Sequence, residues 1–351
     1  QYSTMLGMNG GVPESPDMKY IVYTQKESLD TDKTQIMICD RETLANHRQV
    51  FEVSCLNHNS ASASWIDNSH IVFRDSRDGL SCFHIIDPFT GKTVFGPVFA
   101  KESHCAENGI YPFSVSKEFI GKNPEHPEID QCGIYTLDTK TGKICLIVTE
   151  NAIIEMVRSH GCTPTENTAN VSHVQLNPSG TSIMMRLGVP ECPVFGALGC
   201  IDVESGASHL IKDKPVHQLW YDDDTYMATR QFYNGEKIEM DTSYIARFSK
   251  DGKELEVLGG IGNHIVGSPD RRFFTGDRCY PGFSPNIYLY KKGDKAPIAE
   301  FEIPSEQETI WKKQVHPNPT FSRDGKRLYF NRPEVGGRTS AVFVDISEFV
   351  K

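Results

Sequence analysis

The residues of this chain most able to bind a metal or move a proton recur at one kind of place. His58, Tyr111, His173, His217, His264 and His316 each lie three to seven residues ahead of a turn that opens a short apolar strand. Imidazole titrates near neutral pH and its neutral form ligates metals. Three imidazoles that converge and leave coordination positions open make a catalytic metal site. His217, His264 and His316 are the expected ligands. Asp277 and Cys279, just beyond the strand that follows His264, could complete or support the sphere. Imidazole suits zinc, iron, copper or nickel, and a carboxylate neighbour shifts the balance toward manganese. His173 and Arg186 flank another strand. A guanidinium there could grip a carboxylate bidentately, and a histidine could act as base. Tyr111 and His58 are further catalytic candidates. His160 is a weaker one.

Such convergence needs a repeat, and the chain has one. A small-residue turn followed by a strand of β-branched and aromatic residues returns seven times. It reads Ser15-Pro16-Asp17 before Tyr20-Ile21-Val22-Tyr23, and Trp65-Ile66-Asp67-Asn68 before Ile71-Val72-Phe73. The third unit reads Ser114-Val115-Ser116-Lys117 before Phe119-Ile120, and the fourth Asn177-Pro178-Ser179-Gly180 before Ser182-Ile183-Met184-Met185. The others begin at Trp220, Ser268 and Ser322. Each is followed by a second strand with a polar end, such as Phe83-His84-Ile85-Ile86-Asp87, and often by a glycine turn such as Thr141-Gly142. Glycine turns of this kind favour hairpins. Uneven repeats of short strands, with no long helical period, predict an all-β, seven-bladed β-propeller. One domain is expected over 1–351. The last unit lacks an outer strand, and Tyr2 to Met8 is expected to supply it, so that the N-terminal strand closes the ring and removes an exposed edge.

Composition narrows the function. The net charge of −10 with interspersed signs argues against a nucleic-acid partner. No apolar run is long enough for a membrane span. The ten cysteines form no C-x-x-C pair, which removes zinc-ribbon and thioredoxin readings. Those inside strands, Cys39, Cys145 and Cys200, read as buried thiols, and one or two disulfides are open to the loop cysteines. The start at Gln1, without methionine, suggests a processed periplasmic or secreted protein. A monomer is expected. The motifs G-x-S-x-G, H-E-x-x-H, the P-loop and G-x-G-x-x-G are all missing. Asp222-Asp223-Asp224 reads as a solvated turn.

Three segments resemble a known family. Ser172-His173-Val174-Gln175-Leu176-Asn177-Pro178 looks like the HVQF-x-P segment of oligogalacturonate lyases, and His316-Pro317-Asn318-Pro319-Thr320-Phe321-Ser322-Arg323-Asp324-Gly325 is similar to their last blade. Cys132-Gly133-Ile134-Tyr135-Thr136-Leu137-Asp138 also fits related propeller lyases, including those acting on ulvan, and the generic repeat is shared with TolB-like propellers. The resemblance implies a seven-bladed propeller that cleaves uronate-containing oligo- or polysaccharides by β-elimination, with a divalent metal held by histidines and a glutamine. By position His217, His264 and His316 match the metal histidines; Gln218 and Gln314 are merely near the glutamine's place. Manganese is the metal implied, with zinc or calcium as alternatives. Arg186-Leu187-Gly188 departs from the family's Cys-His-Glu-Gly type run. Two other readings stand beside this one: a non-catalytic TolB-like propeller that binds sugar or protein, and a metal-dependent hydrolase.

Overall fold

Seven antiparallel sheets follow one another along the chain in the computed structural model, as the blades of a β-propeller. The structure describes residues 2–7, 10–58, 60–101, 106–164, 170–192, 196–212, 215–232, 239–279, 285–304 and 308–351. Met8 of the expected closing segment, Asn59 and Cys105 lie outside them. Five blades have four strands, and blades 3 and 7 have three, among the described residues. Blade 4 shows the pattern: Val171–Leu176, Ser182–Leu187, Ala197–Asp202 and Ser208–Ile211, paired in sequence order from the axis outward. Middle strands are covered on both faces by the next blades, so they read as continuous apolar runs. Ile36, Met37, Ile38 and Cys39 are all buried for this reason, whereas the outer strand Arg48–Ser54 is mostly open. The core lies between blades: Phe83 and Val72 of blade 2 pack on Tyr111, Phe113 and Tyr135 of blade 3.

Blade 3 corrects the sequence register. Its second strand is Ile110–Val115, paired with Gly133–Asp138, and Lys117–Phe119 forms a short 3-10 turn. The turn that opens the strand is Glu107-Asn108-Gly109, closed by the Glu107–Ile110 bridge, and Lys101 bridges to Ser114 at the inner position. Asn108 and Gly109 both hold positive φ, which asparagine and Cβ-less glycine tolerate and the expected Ser114-Val115-Ser116-Lys117 would not favour. The corrected register puts His104 three residues ahead of Glu107, outside the described residues. A ten-residue helix, Glu150–Ser159, was not expected. Thr149 caps it through Oγ1, and Ile153, Ile154, Met156 and Val157 pack into the core between blades 3 and 4. No disulfide links the described cysteines.

The ring closes through the N-terminal strand, by a different pairing from the one expected. Ser3–Met5 pairs its main chain with Thr24–Lys26, as the leading part of blade 1's inner strand, and does not become a fourth strand of blade 7. Blade 7 is reached by side chains: Ala341 N–H donates to Thr4 Oγ1 at 2.9 Å, and Leu6 N–H to Asn331 Oδ1 at 2.7 Å. Asn331 also donates to the carbonyl of His316 at 3.0 Å. At the other end of the inner strand, buried Glu14 accepts from Arg41 Nε at 2.6 Å, Tyr329 Oη at 2.7 Å and Arg323 N–H at 2.8 Å. Asn331→Ala would strand the buried Leu6 N–H. It should cost about 1–3 kcal/mol in urea unfolding with an unchanged slope; a neutral result would show that the clasp contributes nothing.

Candidate metal centre

Histidines from blades 2, 5, 6 and 7 meet at one mouth of the central channel, where the inner strands begin. His217 and His264 have ring centroids 4.5 Å apart, His264 and His316 5.1 Å, and His316 and His58 4.9 Å. Two backbone devices aim them. At His173 and at His217 the inner strand carries a β-bulge: two residues, 173–174 or 217–218, stand opposite one on the next strand. Both histidines take left-handed backbone, φ 53° and 52°. A non-glycine residue is strained there, and bulges of this kind re-aim side chains beside functional sites.

His264 is oriented from behind. Its Nδ1 lies 2.8 Å from Asp277 Oδ2, and its backbone N–H donates to Oδ1 of the same carboxylate. Asp277 is fully buried. This pairing holds a proton on Nδ1 and leaves Nε2 as the free lone pair, the arrangement that supports metal-bound histidines. The ligand atoms of His264, Cys279 and His316 lie within 4.8 Å of one another. His217 stands beside this trio through its ring contact with His264. Three buried polar groups here have unpartnered atoms: His217 Nδ1, His316 Nε2, and both amide atoms of Gln218. Unsatisfied buried groups of this kind demand an ion or water, and this donor set fits a divalent cation of the transition series.

Electrostatics point the same way. Burial, followed by the charges of His264, Arg186, His173 and His316, holds His217 well below the usual imidazole range. Burial, with His264 and His58, pushes His316 down to about 2. Both rings are therefore neutral at pH 7, the form that ligates. Burial alone lowers Arg186 to about 10, so it remains a cation. Burial, with Asp277, lifts the Cys279 thiol well above its ordinary value. His58, His173 and Arg186 thus join the three expected ligands at one mouth. Tyr111 does not: in the corrected register it lies on the second strand of blade 3, with its ring 4.8 Å from Phe83 in the core. His160 caps the C-terminus of helix Glu150–Ser159, with Nδ1 2.9 Å from Met156 O. Gln314 is exposed and bonded to Trp311 O, whereas Gln218 is buried beside His217. Trp311, edge-on to His316 at 5.6 Å, has no signal in the spacing of the sequence.

A second compact set, Asp75, Cys82 and His84, sits in the hairpin of blade 2. Asp75 there already accepts from Ser54 N–H and Arg77 and pairs with His84 at 3.2 Å, so an ion pair accounts for it.

No family model matches this chain, and no curated protein matches it. Solved structures do. An oligogalacturonate lyase in complex with manganese superposes with a TM-score of 0.69 at 14% identity, covering 99% of this chain and 92% of that one. An oligogalacturonate lyase from Vibrio parahaemolyticus gives 0.66 at 14% identity, covering 100% and 93%. A prolyl endopeptidase gives 0.57 at 10% identity, with 98% of this chain covering 47% of that one. At these identities the likeness establishes the seven-bladed propeller fold, which the chain shares with oligogalacturonate lyases over more than nine-tenths of their length.

Two outcomes are expected. Asp277→Asn should weaken metal binding about 10–100-fold in a competition titration with a chelating dye, with the far-ultraviolet spectrum unchanged. The metal-free protein should lose stability as pH falls below about 6.5, because the unfolded chain then binds protons that buried His217 and His316 refuse. The loss should be read as a falling thermal midpoint as pH drops from about 6.5 toward 5, and metal should counteract it.

Proposed function

We propose that this protein is a metal-assisted lyase that cleaves uronate-containing oligo- or polysaccharides by β-elimination. The observation that carries the reading is the row of four contiguous imidazoles, one backed by a buried carboxylate, with the Arg186 cation beside it. His217, His264 and His316 would hold the ion, with Gln218 or Cys279 as a further donor. Manganese is the ion proposed, and zinc is the alternative that Cys279 favours. A divalent cation bound there supplies a Lewis acid that neutralises the substrate carboxylate and acidifies the proton at C5.

The remaining work falls to the chain's own residues. Arg186, still protonated at neutral pH, grips the carboxylate. His173 takes the C5 proton. The electron pair of that C–H bond forms the C4–C5 double bond while the C4–O bond breaks, and the departing oxygen collects a proton. His58, next to His316, would supply it. Trp311 offers a flat face to a sugar ring at the same mouth.

Oligogalacturonates incubated with the manganese-loaded protein should yield a product with the ultraviolet absorbance of a conjugated double bond. His173→Ala should lower kcat by about 10²–10⁴ with metal content retained. If His173 is the base, kcat/KM should rise with pH along an imidazole limb, well below the range of a guanidinium. A limb near pH 10 would instead assign the base to Arg186, whose own value lies there. Stoichiometric metal with no unsaturated product from any uronate polymer would overturn the lyase reading in favour of a binding propeller.

A further inference from the structure

The inner strands that begin at the histidines end at the opposite mouth of the channel, and there the walls draw back. His217 is the third residue of the strand Pro215–Trp220, and Trp220 closes it, about 10 Å further along an extended backbone. A cavity of about 350 Å3 lies at this far mouth, lined by residues of blades 1, 3, 4, 5, 6 and 7. None of the described histidines lines it. Its wall is largely apolar, from Leu176, Leu219 and Phe321, with Trp220 at one side. Three charged side chains interrupt it: Arg271, Arg323 and Glu107.

Arg271 is the unusual one. It forms no ion pair or side-chain hydrogen bond among the described residues, and it holds left-handed backbone at φ 58°. Its guanidinium stacks over Tyr221 at 5.2 Å and is laid against Gly267, where an added Cβ would come within 2.8 Å of Nη1. The missing side chain of Gly267 is what lets the cation reach the cavity wall. Arg323 is fixed from blade 7, donating from Nε to Glu14 O at 3.1 Å. Glu107, in the opening turn of blade 3, feels both guanidinium groups without an ion pair to either, and burial lifts its carboxyl above the ordinary range.

We propose that the far mouth is a second binding site, for a small hydroxylated monocarboxylate the size of one sugar acid. Arg271 receives the carboxylate, since a guanidinium presents paired donors to it. Glu107 accepts from a hydroxyl at the ligand's other end. Trp220 and Leu219 cover its apolar face. Two cations and one carboxyl complement a single negative charge, and Glu107 disfavours a multiply charged phosphate. The cavity falls within the volume range of small-molecule sites, about 300–1,000 Å3. The site stands whether or not the histidine mouth is a lyase.

The test is calorimetric titration with gluconate, glucose and inorganic phosphate, on the wild type, Arg271→Gln, Gly267→Ala and a His217→Ala/His264→Ala double variant. Gluconate should bind the wild type and the histidine variant alike, and about tenfold or more weaker to Arg271→Gln. Gly267→Ala keeps every charge but pushes the guanidinium aside, so it should weaken binding too, which guards against a folding defect in the arginine variant. Glucose and phosphate should give no comparable heat. The proposal is overturned if gluconate does not bind, if its binding survives Arg271→Gln but disappears in the histidine variant, or if phosphate binds as tightly.

Discussion

A ring of sheets has one seam, and the rest of this molecule depends on how that seam is held. Blade 1 meets blade 7 through buried Glu14, which binds Arg41 of its own blade together with Tyr329 and the backbone of Arg323 across the junction. Arg41 is held in turn by Glu42 and by Asp324 at 2.8 Å, so the buried carboxylate belongs to a network of charges that spans the seam. At the other end of the same inner strand, Leu6 and Thr4 are tied to Asn331 and Ala341. The channel is thus clasped at both mouths by one stretch of chain.

The seam matters for the chemistry because the histidine row crosses it. His58 belongs to blade 2 and His316 to blade 7, yet their rings are 4.9 Å apart. Blade 1, between them, brings no histidine to the row. Its inner strand is broken into Ser3–Met5 and a bridge at Glu14, and the neighbours close over it. The Asn331 amide that accepts from Leu6 also holds the carbonyl of His316, so the clasp and the proposed ligand share a hydrogen-bonded link.

The residue types along the chain reveal the architecture more readily than the register. Strands such as Phe83-His84-Ile85-Ile86-Asp87 are buried on both faces and announce themselves by composition, and the spacing of His217, His264 and His316 to their turns reflects a shared place on the inner strand. Blade 3 misleads because Ser114-Val115-Ser116-Lys117 has turn composition while the true turn holds Asn108 and Gly109 in positive φ, and Tyr111 goes astray with it. Asp277 is visible as a candidate, but its position behind His264 depends on pairing across two strands, which spacing cannot express. The helix Glu150–Ser159 is short and half apolar, below the length at which a helical period stands out. The far cavity has no motif at all: it is made by an absent side chain at Gly267 and by segments of six blades distant in sequence.

The left-handed backbone at His173 and His217 sets these two apart from His264 and His316. Alanine at 316 removes an imidazole without touching such a torsion, and alanine at 264 also takes the ring partner from buried Asp277. Alanine at 173 or 217 inherits the same unfavourable torsion, whereas glycine would release it. A glycine scan should therefore split the row in two: more robust protein from the bulged pair, less robust protein from the other. Durability and the aim of a side chain would then be seen to compete at individual backbone torsions, with the tension kept at 173 and 217.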